Sequence, residues 1–437
     1  MMGGFNNHVD NSVWGRAVLM AGAILTIGVV AFAALGLGVG SVKHDTYYEA
    51  KDAYYAAMND PTVSEEELDH LHHEEIDAHL SYLTYWVAGV TILAITTIYA
   101  IFLGIGGFIN SIQPQEDHGH DDHGHDDHHD EHHGSASPII FCLGVLLFLM
   151  GFPEFVEGMR ALLAQGGTFA PGDMVLSTIG LTIIMIGVAN WWREDLPFIG
   201  HGEQIATSAP FEGEHIRKAG LWVFIMSEVM VFATFFSSYL RIRTEWCTKW
   251  AFDEGKCSPG ATEGEIVLTA SDYLRPGGAA GTGDFWTMLP GAVNTFALII
   301  SSYTIVLALK TAKSKDWEAP KNALRYLLPD KKTAVRNYLI ATLLLGSMFI
   351  VLKLVEWSHL VAEGFTVGTV QGSIFYVATG AHGLHVFVGL LVMLYLVFKA
   401  DTIGYDEENG QGIEYFGLYW HFVDLAWVVI FPAFYLY

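Results

Sequence analysis

Hydrophobic and polar positions along the 437-residue chain form long apolar runs separated by polar connections. Nine runs are long enough to cross about 30 Å of hydrocarbon as helices. They cover roughly 17–40, 83–109, 138–162, 172–192, 216–240, 286–309, 335–358, 370–398 and 413–436. The first run is longer than the apolar segment of a signal peptide, and no clear cleavage site follows it. The pattern therefore predicts an all-α integral membrane protein with about nine transmembrane helices.

Composition agrees with this prediction, because 52% of the residues are hydrophobic and only 16% are charged. A soluble domain carries about 25% charged residues. The net charge of −25 argues against nucleic acid or an anionic lipid surface as the main partner. The acidic residues concentrate in 43–79 and 116–131, so the negative charge lies mainly in connections between the predicted helices.

Lysine and arginine predict the orientation of the spans. The connection 310–336 carries eight of these residues and is predicted to be cytoplasmic. With this assignment thirteen Lys and Arg lie on the cytoplasmic side and eight on the outer side. The N-terminus is then expected in the cytoplasm and the C-terminus outside.

Two connections have distinctive compositions. The outer one, 41–82, contains Ser64 and Glu67 at capping-box spacing, which predicts a short acidic helix leading into the second span. The inner one, 116–137, is rich in His and Asp, lacks Lys and Arg, and is predicted to be disordered. It separates an N-terminal two-helix extension, 1–115, from a C-terminal region, 138–437.

Glu228 lies twelve residues into the run that begins at Ile216, about 18 Å along a helix. A charged carboxylate at that depth costs about 2.5 kcal/mol or more unless it is neutralised, paired or wetted. Glu228 is therefore expected to be neutral or hydrogen-bonded across a helix contact, and it is a functional candidate.

Other polar residues recur within the runs three positions apart, on one helix face. The pairs are Glu356 with His359, His382 with His385, and His421 with Asp424. Each pair alone is compatible with a metal site, a haem ligand, a proton relay or interhelical hydrogen bonding. Cys247 and Cys257 share one polar connection and could form a disulfide if it faces an oxidising compartment.

The combination of these motifs is more specific than any one of them. In chain order they are Phe224-Ile-Met-Ser-Glu228-Val, Phe375-Tyr-Val-Ala-Thr-Gly-Ala-His382-Gly-Leu-His385-Val and Tyr419-Trp-His421-Phe-Val-Asp424-Leu-Ala-Trp427. A fourth is Trp191-Trp192-Arg193-Glu194-Asp195 followed by Gly200-His201. Together they resemble subunit III of haem-copper terminal oxidases, and the resemblance covers about 138–437.

The resemblance implies a seven-helix bundle whose first two helices splay from the other five around a lipid-filled, V-shaped cleft. It implies a subunit without haem, copper or a catalytic centre, which packs on subunit I and supports proton uptake and oxygen access. Haem and copper would lie in the partner subunits I and II. The expected location is a prokaryotic plasma membrane, with a small subunit IV or a respiratory supercomplex as further partners.

Residue by residue, the resemblance makes Glu228 the candidate for a proton or oxygen path. It makes four residues candidates for binding phospholipid headgroups, namely Trp192, Arg193, His201 and Lys399. A cation at the end of a span, such as Lys399, can reach a lipid phosphate. The remaining polar residues, Glu356, His359, His382, His385, His421 and Asp424, are expected to form an interhelical polar network.

Departures from the family and rival functions leave several alternatives open. The two extra N-terminal helices could be a fused small oxidase subunit or an extension that packs on the outside. The His-rich connection is also typical of divalent-metal transporters, but scattered intramembrane acids and no evident inverted repeat argue against one. A bis-histidine cytochrome is disfavoured because His382 and His385 are too close on one helix. A partner of a quinol oxidase or of a nitric oxide reductase remains compatible.

Overall fold

The computed structural model describes residues 7–112, 136–155, 157, 171–195, 205–206, 209–244, 285–321, 323–362, 364–368, 370–407 and 409–436. Within these ranges the backbone is almost entirely helical, and the one β contact is an isolated antiparallel bridge between Ile205 and His215. The predicted all-α fold class is confirmed.

The helices are labelled in chain order. They are α1 (Asn7–Phe32), α2 (Gly40–Met58), α3 (Glu65–Ile112), α4 (Ser137–Met150), α5 (Val175–Asp195), α6 (Ile216–Thr244), α7 (Phe285–Lys313), α8 (Lys331–Ala362), α9 (Val370–Thr402) and α10 (Gln411–Phe431). The π-helical segments Ala33–Val39 and Pro432–Leu436 join α1 to α2 and follow α10.

Helical backbone occurs at all nine predicted spans. Among the described residues, seven helical segments are long and apolar enough to cross a membrane, and two shorter apolar helices, Ser137–Met150 and Val175–Val188, occupy the third and fourth predicted positions. Both of these shorter helices end next to residues outside the described ranges. The chain is a multi-pass membrane protein.

The chain divides into two compact units. One contains Met1–Val18 and Gly104–Gln204, and the other contains Leu19–Leu103 and Ile205–Tyr437. In the first unit α4 and α5 pack against each other at close range. A Cβ atom on Gly144 would lie 2.6 Å from the backbone nitrogen of Ile184, so the absence of a side chain at Gly144 allows this approach.

The N-terminal region of the second unit is a long helical hairpin, which corrects the prediction for residues 41–82. We expected a connection with a short acidic helix, but the described backbone is helical on both sides of a turn at 59–64. Ser64 does cap the second arm, because its hydroxyl accepts a hydrogen bond from the Glu67 N–H at 3.3 Å. The arm that follows is α3, with 48 residues.

Aromatic contacts explain why the polar part of the hairpin stays helical. The Tyr47 and His79 rings stack at 4.5 Å, and the Tyr54 and His72 rings stack at 5.0 Å, in both cases between α2 and α3. At 1.5 Å per residue α3 is about 72 Å long, more than twice the hydrocarbon thickness of a bilayer. The tip of the hairpin therefore extends beyond the membrane.

The two arms also cross closely at Gly89, which gives a testable prediction. A Cβ atom there would lie 2.9 Å from the backbone nitrogen of Gly36, which has no side chain that could move away. We expect Gly89→Leu to destabilise the hairpin by about 1–3 kcal/mol through overpacking. The yield of disulfide cross-links between engineered cysteines on α2 and α3 should fall in this variant. Gly104→Leu is the control, because no atom lies within 4 Å of the Cβ position of Gly104. Equal cross-linking in both variants would refute the close crossing.

Helix α3 is joined to α8 by two hydrogen bonds between side chains. Thr84 Oγ1 lies 2.8 Å from His359 Nε2, and Tyr99 Oη lies 2.9 Å from Ser347 Oγ. The extension is thus bonded to a helix of the C-terminal region.

Helices α7 to α10 form the most deeply buried part of the second unit. Trp420 Nε1 donates to Ser301 Oγ at 2.8 Å and Trp427 Nε1 donates to Thr295 Oγ1 at 2.9 Å, which joins α10 to α7. Thr304 and Thr342 hydroxyls, 2.7 Å apart, join α7 to α8. Hydrogen-bonded indole groups allow large rings to be buried without orphaned N–H groups.

Candidate functional site

Glu228 lies on α6 and meets His385 on α9. The distance from Glu228 Oε2 to His385 Nε2 is 3.0 Å, and both side chains are 18% exposed. The hydrogen bond that we predicted for Glu228 across a helix contact is therefore present. Its partner is a histidine 157 residues away, which the sequence motifs contain but do not pair with it.

The other ring nitrogen of His385 determines what this pair can do. His385 Nδ1 lies 2.7 Å from the carbonyl oxygen of Ala381, one turn earlier on α9. A carbonyl can only accept, so Nδ1 carries a proton. The bond between Nε2 and Glu228 then needs one more proton, which resides on the carboxyl group or on the imidazole. The pair holds one shared proton and is neutral overall in either form.

Neighbouring side chains hold this pair in place. Tyr419 on α10 donates its hydroxyl to the His385 carbonyl oxygen at 2.9 Å. The Phe232 ring lies 5.3 Å from the His385 ring at an angle of 60°, so the imidazole is in contact with an aromatic side chain. A neutral, hydrogen-bonded pair removes most of the cost of placing an acid within the membrane.

The other predicted polar residues do not form one continuous network with this pair. His382 Nε2 donates to the Val423 carbonyl at 3.0 Å, and His359 bonds to Thr84 of the N-terminal hairpin. His421 is exposed, and Asp424 lies beside Ser302 of α7. His382 and His359 each bond to another helix, as we expected of interhelical polar residues, but they do so through separate hydrogen bonds.

Glu356 forms a separate buried ion pair with Lys353, which our sequence reasoning missed. Lys353 Nζ lies 2.9 Å from Glu356 Oε1, and the two side chains are 4% and 6% exposed. The Tyr435 hydroxyl bonds to both. The spacing of three residues was the available signal, because a lysine within an apolar run needs a nearby counter-charge.

Lys399 lies in the last turn of α9, and its Nζ is 5.1 Å from the centre of the Tyr405 ring. Burial raises the pKa of the Tyr405 phenol, so this ring stays neutral at physiological pH. Arg336 and Asp401 form an ion pair at 2.7 Å. Asp401 lies two residues after Lys399, and Arg336 lies one turn after Lys332 on α8. Lys399 is thus held at one end of the bundle by an aromatic face.

Several predicted site residues fall outside the described part of the chain. The backbone of Trp192 and Arg193 belongs to the last turn of α5, but their side chains are not described. His201, Cys247, Cys257 and the His-rich connection are also outside the described residues. Among the residues that are described, no group of three or more His, Cys, Asp or Glu side chains is placed to hold a metal ion.

Comparison with known proteins points to the same family as the sequence motifs. Residues 321–437 match the family model described as cytochrome c oxidase subunit III. A probable quinol oxidase subunit 3 from Staphylococcus epidermidis is 28% identical over 243 residues, which are 54% of this chain and 96% of that protein. A probable quinol oxidase subunit 3 from Staphylococcus aureus is 28% identical over 240 residues, with the same coverage. The chain is similar to subunit III of haem-copper oxidases. The resemblance predicted from the motifs is confirmed.

The family match places several site residues within the subunit III region. It covers α8, α9 and α10, which carry Lys353, Glu356, His385 and Lys399. Glu228 precedes the matched residues, and it is joined to them by its bond to His385. The similar proteins are named as subunits of a quinol oxidase, which is an enzyme complex.

Proposed function

We propose that this chain is an accessory subunit that supports proton uptake by the oxidase without carrying out O₂ reduction itself. Haem and copper, in this proposal, belong to subunits I and II, and this chain binds neither. The Glu228–His385 pair carries the proposal, because it is a neutral proton-holding site within the membrane part of the bundle. The complex is proposed to pump protons and to act in the plasma membrane of a prokaryote during aerobic respiration.

The chemistry of the pair fits a supporting role. Its proton can move between the Glu228 carboxyl and the His385 imidazole without a change in the net charge of the pair, and a medium of low dielectric constant favours the form in which the carboxyl holds it, because that form has no separated charges. Net loss of the proton would leave a carboxylate facing the lone pair of Nε2. A proton that leaves the pair must therefore pass to an acceptor, and a donor must replace it before the hydrogen bond can form again.

Phospholipid is the second ligand that we propose for this subunit. Lys399, at the end of α9, is a suitable cation for an anionic headgroup, since its long stem can lie along apolar surface while its ammonium reaches the phosphate. Trp192, Arg193 and His201 are proposed to contribute to the same lipid binding by their resemblance to the family. Oxygen access along such lipid is part of the proposal.

Orientation in the membrane gives a direct prediction. Ala323 lies in the connection between α7 and α8 that carries the Lys and Arg excess, and Thr62 lies in the turn of the N-terminal hairpin. In a chain without its native cysteines, we expect Ala323→Cys to react with a membrane-impermeant reagent only from the cytoplasm and Thr62→Cys only from outside. Labelling of both from the same side would contradict the proposed topology.

Affinity purification tests the assignment to an oxidase complex. A tag on this chain should recover oxidase subunits I and II in equal amounts, and the complex should show a haem spectrum. The isolated chain, separated from its partners by detergent, should contain neither haem nor copper. Haem or copper that remains on the separated chain would refute the accessory role.

A further inference from the structure

The ring of Trp427 lies at the centre of a second group of buried polar side chains, apart from Glu228. Trp427 is fully buried, and the ammonium of Lys353 lies 5.2 Å from the centre of its ring. The His382 ring lies 5.0 Å from the same ring. We call the group the Trp427 layer, and its members are Asn294, Lys353, Glu356, His382, Trp427 and Tyr435.

Helix register brings Asn294 into this layer. Thr304 of α7 bonds to Thr342 of α8, and these helices run antiparallel. Asn294 lies ten residues before Thr304 and Lys353 lies eleven residues after Thr342, so at 1.5 Å per residue both are about 15 Å from the bond in the same direction. The neighbour of Asn294, Thr295, accepts the hydrogen bond from Trp427 Nε1.

Three side chains of the layer have polar atoms without a protein partner. Asn294 is 0% exposed, and within the described residues neither its amide nitrogen nor its oxygen makes a hydrogen bond. The same is true of Glu356 Oε2 and His382 Nδ1, in side chains that are 6% and 0% exposed. Buried polar groups in folded proteins are hydrogen-bonded with few exceptions, so four such atoms at this level of the bundle point to a bound ligand.

The chemistry of the four atoms defines that ligand. His382 Nε2 donates to the Val423 carbonyl, so Nδ1 of the neutral ring is an acceptor. Glu356 Oε2 and Asn294 Oδ1 are also acceptors, whereas the Asn294 amide nitrogen is a donor. The ligand must therefore both donate and accept hydrogen bonds. A second cation is disfavoured, because the Lys353 ammonium already supplies a positive charge here.

We propose that the Trp427 layer binds a small cluster of water molecules within the membrane-spanning bundle. Water donates to His382 Nδ1 and Glu356 Oε2, and it accepts from and donates to the amide of Asn294. Water molecules at buried sites commonly make two to four such bonds. The cluster keeps the Lys353–Glu356 pair solvated, so that this pair can stay ionised far from the aqueous phases. The proposal does not depend on the role assigned to Glu228.

A structure of the intact oxidase at a resolution that shows ordered water tests the proposal. We expect water density within hydrogen-bonding distance of Asn294 and of Glu356 Oε2. A dry layer, in which Asn294 and Glu356 are bonded to protein groups or only packed against them, would overturn the proposal.

Thermal unfolding of variants in the whole complex gives an independent test. Asn294→Leu removes the amide and displaces water, so we expect its Tm to fall below both the unmodified subunit and Leu298→Met. The control changes a fully buried side chain one turn further along α7 with nearly the same volume. In a dry layer, removal of an unpartnered polar group would raise the Tm instead, and that result would also overturn the proposal. If Asn294→Leu fails to assemble, the presence or absence of water density in the unmodified complex decides between a hydrated and a dry layer.

Discussion

Lys353→Met is expected to destabilise the bundle strongly. It leaves the Glu356 carboxylate buried without its cation, and only the Tyr435 hydroxyl remains as a described partner of that oxygen. Removing one member of a buried ion pair costs about 3–5 kcal/mol. The free energy of unfolding, measured by denaturant titration of the reconstituted subunit, should fall by that amount.

The double variant Lys353→Met/Glu356→Leu is the matched control. Replacing both charges with apolar side chains removes the unpaired carboxylate, so most of the lost stability should return. A double variant as unstable as the single one would show that the pair matters through its packing against Phe375 and Trp427 and not through its charge.

Glu228→Gln should separate the proton-holding function of the Glu228–His385 pair from its structural role. The amide of Gln can donate to His385 Nε2, so helix packing and assembly should be retained, but the shared proton is lost. We expect the initial rate of O₂ reduction to fall by less than about tenfold, which is under about 1.4 kcal/mol in activation free energy. Proton-pumping efficiency or durability over many turnovers should fall more.

Controls distinguish this outcome from general damage. His385→Phe removes the partner and leaves the carboxyl of Glu228 unpaired, so it should impair assembly more than Glu228→Gln does. A hydrophobic carbodiimide, whose central carbon takes up the oxygen of a protonated carboxyl group as its nitrogen takes the proton, should label Glu228 in the unmodified subunit and spare Glu356. Glu228 is 18% exposed, whereas Glu356 is 6% exposed and paired with Lys353. Unchanged turnover, pumping and durability in Glu228→Gln would reduce the pair to a packing contact.

The amino-acid sequence predicted the helices well because long apolar runs have few other solutions in a membrane. Polar partners were harder to predict. His382 and His385 lie three residues apart and were placed on one face, but the positions differ by about 60° around the helix. That difference sends His382 to the Val423 carbonyl of α10 and His385 to Glu228 of α6.

The N-terminal hairpin shows a different limit. Residues 41–82 are polar and acidic, which is typical of a connection, so we predicted only a short helix. Helical backbone continues there because rings on α2 stack on rings of α3, as Tyr47 does on His79. Tyr47 and Tyr54 lie seven residues apart on α2, as His72 and His79 do on α3, and this spacing was the signal that our sequence reasoning missed. Ser64, in contrast, acts on its own helix, and its capping role was predicted correctly.

The central claim is that this subunit supports the oxidase without performing its chemistry. The most direct measurement is the time course of O₂ uptake by the oxidase purified with and without this chain, alongside its haem spectrum. We predict that the complex of subunits I and II keeps its haem and starts at a comparable rate, and then loses activity sooner during turnover. A complex that retains subunits I and II but has no initial O₂ reduction without this chain would contradict the account.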